Sequence, residues 1–80
     1  MSRFNYRDFE LNPRKYELFC TARIATHIFT ENGAHDLAEG TIVPLRFLRV
    51  VHNRMFRRDE PVYNIGDRDV YASALADFVP

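Results

Sequence analysis

Five arginines crowd between positions 46 and 58, namely Arg46, Arg49, Arg54, Arg57 and Arg58, and Met55 and Phe56 sit among them. A guanidinium is planar, permanently charged and able to make paired hydrogen bonds or stack on a ring. Set beside exposed apolar side chains, it has the composition of a protein-binding hot spot. The same group also neutralises phosphate, which would serve a nucleic-acid backbone. Strands over 41–51 and 55–65, joined by a turn at 52–54, bring these side chains together at one end of a sheet. Arg46, Arg49, Arg54, Met55, Phe56, Arg57 and Arg58 therefore form the candidate binding patch. The competing expectation is a solvated face balanced by Asp59, Glu60, Asp67 and Asp69, since surface ion pairs are common and contribute little.

Other reactive groups are less suggestive. Cys20, His27, His35 and His52 show none of the short paired spacings of a zinc site, so no metal is expected. Asp59-Glu60 falls where a turn is expected, and Asp67 and Asp69 flank a hairpin, where Asp is favoured for turn geometry alone. Such positions are exposed, and exposure leaves a carboxyl without the perturbation that acid–base catalysis needs. Ser73 has no nucleophile elbow around it, and three glycines in the whole chain make no phosphate loop. Neither catalysis nor a cofactor is expected.

The elements that must position the patch are bounded by size. Eighty residues are enough for one domain with one core, 1–80, with little room for a deep cavity besides. With 46% hydrophobic and 14% aromatic residues, that core can be packed. Eleven basic residues balance eleven acidic ones, unlike the basic excess of proteins that wrap nucleic acid. One cysteine excludes an intrachain disulfide and suits a reducing cytoplasm. No apolar run approaches the roughly 18 residues of a membrane span, and the N-terminus lacks a signal-peptide core.

Residues 1–14 read as an arm or edge strand carrying Phe4, Tyr6, Phe9 and Leu11, laid over the rest. From 13 to 31 two signals compete. Asn12-Pro13 and Asn32-Gly33 would start and stop a helix. Thr21, Ile24, Thr26, Ile28 and Thr30 are β-branched, and Tyr16, Leu18, Cys20, Ala22, Ile24 and Ile28 alternate with polar neighbours as on a strand. The expectation is one long strand, with the helix as the alternative. A polar loop over 31–40 follows. In the strand at 41–51 the alternation slips at Phe47-Leu48, which predicts a bulge, and Pro44 predicts a sheet edge. The last third reads as a strand over Val62, Tyr63 and Ile65, a turn at 66–69 and a return through Val70 and Tyr71. A 3₁₀ turn at 73–75 and a closing strand at 76–79 complete it.

From about Thr21 onward this order resembles an SH3-like barrel. Asp36-Leu37-Ala38-Glu39-Gly40 is similar to the approach to the second strand of that family, and Tyr71-Ala72-Ser73-Ala74-Leu75 to its closing segment. The resemblance implies a mainly β fold, a five-stranded barrel over 15–80 behind an N-terminal extension. The alternative is an α+β arrangement with one helix near 13–31 on a three- to four-stranded sheet. The chain has no Trp, and Ala72 stands where the family's groove proline would be, so polyproline binding is not implied. What the resemblance implies is the broader class of bacterial and viral small barrels that bind proteins or nucleic acid. A short chain without enzyme motifs is similar to phage-encoded proteins. The expectation is a small cytoplasmic binding protein that docks on a host protein assembly and inhibits it. Alternatives are a nucleic-acid-binding barrel using the arginine face and a structural subunit of a virion or larger complex.

Overall fold

The computed structural model describes residues 2–30, 33 and 36–80. The expected helix stop at Asn32 and the candidate ligand His35 lie outside the described residues.

The N-terminal arm contains a short helix, α1 (Tyr6–Leu11), where an extended edge was one expectation. Asn5 caps it, its side chain accepting the Asp8 N–H at 3.1 Å. Asn12 ends it, donating its N–H to the Asp8 carbonyl. Pro13 cannot continue α1 but suits the first position of a new turn, and a 3₁₀ helix runs over Pro13–Glu17. The capping signals at Asn12-Pro13 thus govern five residues and then give way. β1 occupies only Thr21–Ile24, within the β-branched stretch, so neither the long strand nor the long helix forms. Inside β1 the expected alternation holds: Ala22 and Ile24 are buried and Arg23 is exposed. Leu18 and Cys20, expected inward, are exposed because the 3₁₀ turn breaks the phase before the strand begins.

Beyond the loop, the strands are β2 (Ile42–Pro44), β3 (Arg46–Asn53), β4 (Arg58–Asn64), β5 (Asp69–Tyr71) and β6 (Leu75–Val79), with a 3₁₀ turn at Ala72–Ala74 before β6. They form two antiparallel three-stranded sheets in the orders β2-β1-β6 and β3-β4-β5. The expected five-stranded closed barrel is thereby corrected, among the described residues, to six strands in two sheets that do not close. Two corners connect them. At one, Leu45 alone separates β2 from β3 and donates its N–H to the Cys20 carbonyl at 2.8 Å. The other is the 3₁₀ turn.

Several local expectations hold. The β3–β4 register shifts between Phe47 and Arg49, where the alternation slip predicts a bulge. Pro44 lies on an edge strand. Gly66, at a φ of +116°, carries the β4–β5 turn in a conformation that a side chain would strain. The Asn64 side chain accepts the Gly66 N–H.

One hydrophobic cluster draws on both sheets: Ala22, Ile24, Val43, Tyr63, Ile65, Val70, Ala72 and Leu75. In β4 the four consecutive residues Glu60, Pro61, Val62 and Tyr63 are all buried, so both faces of that strand are covered. α1 packs against β4 and contributes to this cover. Pro61 is tolerated there because β5 pairs only with Val62 to Asn64, leaving β4 one neighbour at Pro61.

Candidate functional site

The β3–β4 hairpin carries every residue of the predicted patch, but its turn differs from the expectation. β3 runs on to Asn53 and the turn occupies residues 54–57. The reason is local chemistry at both ends. Asn53 accepts the Met55 N–H on its side-chain oxygen at 3.0 Å, forming an Asx turn. Arg57 takes a left-handed conformation with φ of +55°. Met55 and Phe56, expected to begin a strand, are therefore the hairpin tip. Met55 is 83% exposed and Phe56 52% exposed.

Not all the arginines converge. Arg54 and Arg57 flank Met55 and Phe56 at the tip. Arg49 lies opposite Val62 and Arg46 opposite Asn64. Six residues along β4 separate Asn64 from Arg58, about 20 Å of strand. Arg58, Val62 and Asn64 fall on the same side of β4 by alternation, so Arg46, Arg49 and Arg58 form a line along one sheet face. The expected cluster at one end is instead a stripe leading to a tip.

Arg58 is also committed internally. Its guanidinium bonds Glu10 at 3.0 Å and lies 5.3 Å from the Tyr6 ring centre. Both contacts fasten α1 to the hairpin, and Phe56 adds a ring contact to Tyr6 at 6.1 Å. The other four arginines differ. Among the described residues, Arg46, Arg49, Arg54 and Arg57 have no carboxylate within 4.0 Å.

The carboxylates expected to balance them are engaged elsewhere. Asp59 faces the His52 ring at 2.9 Å. Asp67 pairs with its neighbour Arg68, which raises the Arg68 pKa. Asp69 accepts from the Asn64 side chain at 3.0 Å. Glu60 lies in the interior, 0% exposed, contrary to the exposed turn position expected of it. A chain of zero formal charge thus presents a locally positive hairpin, because residues 46–64 carry five arginines against only Asp59 and Glu60.

Glu60 is the residue that sequence reasoning missed. Its Oε2 accepts from the Tyr6 hydroxyl and from Asn53 Nδ2, and its Oε1 accepts the Ser73 N–H at 3.0 Å. One carboxyl thereby ties α1, β3 and the second 3₁₀ turn to β4. Burial, reinforced by the hydrogen bond to Glu60, pushes the Tyr6 phenol up to about 12. No local signal marks it, since Glu60 is in phase with exposed Arg58 as much as with buried Val62.

Among the described residues no three of His, Cys, Asp and Glu gather closely enough to hold a metal ion. His27 lies 3.6 Å from Asp36 and stacks on Phe29, and Cys20 is exposed. A shallow hollow of about 370 Å³ lies between the N-terminal segment and β6, with Phe4, Tyr16, Phe19 and Phe78 in its lining. Its polar rim is already paired: Asp8 bonds Lys15 at 2.7 Å, and Asp77 accepts the Ser2 N–H. Among the described residues no helix is long and apolar enough to cross a membrane.

Compared with known proteins, the chain matches no protein family, no curated protein and no solved structure.

Proposed function

We propose that the protein acts by docking on a protein assembly and obstructing it, without chemistry of its own, and that the β3–β4 tip is what docks. The observation that carries this reading is the tip itself. Met55 and Phe56 point outward from a turn fixed by Asn53 and braced by Tyr6, between two arginines that form no ion pair among the described residues. In a chain short of core-forming surface, two large exposed side chains on an ordered turn cost solvation that burial against a partner would recover. The kinship with SH3-like small barrels belongs to the same proposal. It is supported by the corner at Leu45 and the 3₁₀ turn ahead of β6.

The test replaces Arg54→Glu, Met55→Ser and Arg57→Glu together, leaving Arg58 in place because it holds α1. Proteins captured from cells by the native chain and by this variant are compared by mass spectrometry, with a photo-crosslinker at position 56 identifying direct contacts. A partner crosslinked by the native chain and lost by the variant, at unchanged circular dichroism, is the expected result. Equal capture by both chains overturns the tip as the docking site.

Arg46, Arg49, Arg54 and Arg57, without an ion pair among the described residues, also support a second reading, contact with a nucleic-acid backbone. It requires affinity to fall by about 0.7–0.9 log per log of salt for each phosphate neutralised. A gel-shift series with DNA and RNA at low salt that shows no retarded band removes it.

A further inference from the structure

A small two-sheet protein exposes four sheet margins, and three of them here are short or covered. β2 has three residues and contains Pro44, and β5 has three. The outer side of β6 is occupied by the N-terminal strand segment: Phe4 donates its N–H to the Leu75 carbonyl at 3.2 Å, and Asp77 donates to the Ser2 carbonyl at 2.9 Å. β3 is different. It has eight residues and, among the described residues, pairs only with β4. Phe47 and Leu48 are half-buried, and the first 3₁₀ turn packs against β3. From Arg49 to Asn53 the margin is open, with Arg49, Val50 and His52 exposed.

Unpaired strand margins recruit other strands, and proteins commonly guard them with charge and bulges. β3 carries both guards, the Phe47–Arg49 bulge and its arginines, and no acidic residue. Two copies of β3 edge to edge would bring only positive groups together, so a second copy is disfavoured. An extended segment bearing carboxylates meets the opposite situation, because its backbone completes the ladder while an acid meets Arg49, with Arg46 adding positive charge beyond the bulge.

We propose that the β3 margin from Arg49 to Asn53 accepts an acidic, extended segment of the partner protein as a fourth strand of the β3-β4-β5 sheet. Backbone bonds would supply affinity and alternate side chains the specificity. Val50, exposed next to Arg49, favours a segment in which an apolar residue neighbours an acidic one. This inference rests on the reading of the protein as a binding module, and it adds a strand-pairing contact to the tip.

The probe is an octapeptide of alternating Glu and Val, read by amide chemical shifts and hydrogen exchange across the whole protein. Shift changes centred on Arg49 to Asn53, with exchange there slowed about tenfold, are expected. A peptide of equal charge with Pro replacing each Val cannot complete the ladder and should bind at least about tenfold more weakly. The double variant Arg46→Glu/Arg49→Glu should lose the Glu-Val peptide and accept a Lys-Val one. Equal binding of the Pro-bearing peptide, shifts centred away from β3, or self-association of the native protein would each overturn the proposal. Met55→Ser/Phe56→Ser should leave peptide binding unchanged. If that variant no longer captures the partner from cells but keeps the peptide, both readings stand. If the native chain ignores the peptide while partner capture still depends on the tip, only the strand-pairing inference falls.

Discussion

The N-terminal segment and the hairpin tip are both short, polar-rich and aromatic, yet they turn their rings in opposite directions. Phe9 and Tyr16 are buried, and Phe4 packs against both, at 6.1 Å and 5.4 Å between ring centres. Tyr16 in turn meets Phe19 and Phe78 edge-on. At the tip, Met55 and Phe56 face solvent, and Phe56 finds only the outer ring of Tyr6. Neither segment is long enough for an independent core. What separates them is the covalent path. Asn5 and Asn12 bend the first segment back over β4, whereas the Asn53 and Arg57 turn projects the second away from it. Aromatic rings gather inward where the chain reverses over a sheet, while Leu11 and Leu18 beside them stay exposed, and Phe56 turns outward where the chain reverses beyond a sheet.

Breaking the inward half should have the largest effect. Phe9→Ala removes a buried ring that meets Phe4 and Tyr16 and should cost about 3–5 kcal/mol, measured by urea unfolding. A loss below about 1 kcal/mol would mean that α1 is a loose appendage and that the contrast with the tip is false.

Much of this contrast was readable in the chain and some was not. The last third follows from its own residues. Gly66 admits the turn, small Ala72-Ser73-Ala74 tightens into a 3₁₀ turn, and the apolar alternation on either side does the rest. The bulge after Phe47 is visible as a slipped alternation for the same reason. Between 13 and 31, capping chemistry and β-branching conflict, and no local rule says where one yields to the other. The answer is tertiary: β1 exists where β2 and β6 flank it, over Thr21–Ile24. Glu60 was misplaced because Asp59-Glu60-Pro61 has the composition of a turn. Only the arrival of Tyr6, Asn53 and Ser73 makes that position a satisfied interior. The arginine patch was legible in composition, but its division into a tip, a stripe and one internally committed Arg58 depends on turn position.

The hinge between the two regions is the Tyr6–Glu60 bond, and it sharpens the comparison through pH. A phenol whose pKa is raised on folding is held neutral by the folded state. Its contribution is therefore complete below pH 10 and is lost as pH rises toward about 12. Stability measured by urea between pH 8 and 11 should begin to fall above pH 10. Tyr6→Phe should remove Tyr6's share of that fall at a cost of about 1–2 kcal/mol near neutrality. Because Tyr6 also touches Phe56, amide shifts at 54–57 near neutral pH should move on that substitution. Shifts there that ignore it would mean the tip holds its shape without α1.

The smallest expected effect is at the tip, and it is the one that gives the comparison its meaning. Met55→Ser with Phe56→Ser removes two large apolar side chains, as Phe9→Ala removes one, but from water and not from an interior. Serine at position 55 keeps the N–H that Asn53 accepts, so the turn is not undone. Stability should change by no more than about 0.5 kcal/mol per site, the usual range for exposed positions free of special backbone demands. The same variant should no longer capture the partner that crosslinking of the native chain identifies. A destabilisation approaching that of Phe9→Ala would show that the tip folds back as structural cover and is not a presenting surface. A near-zero change with partner capture abolished would separate what holds the fold from what the fold presents.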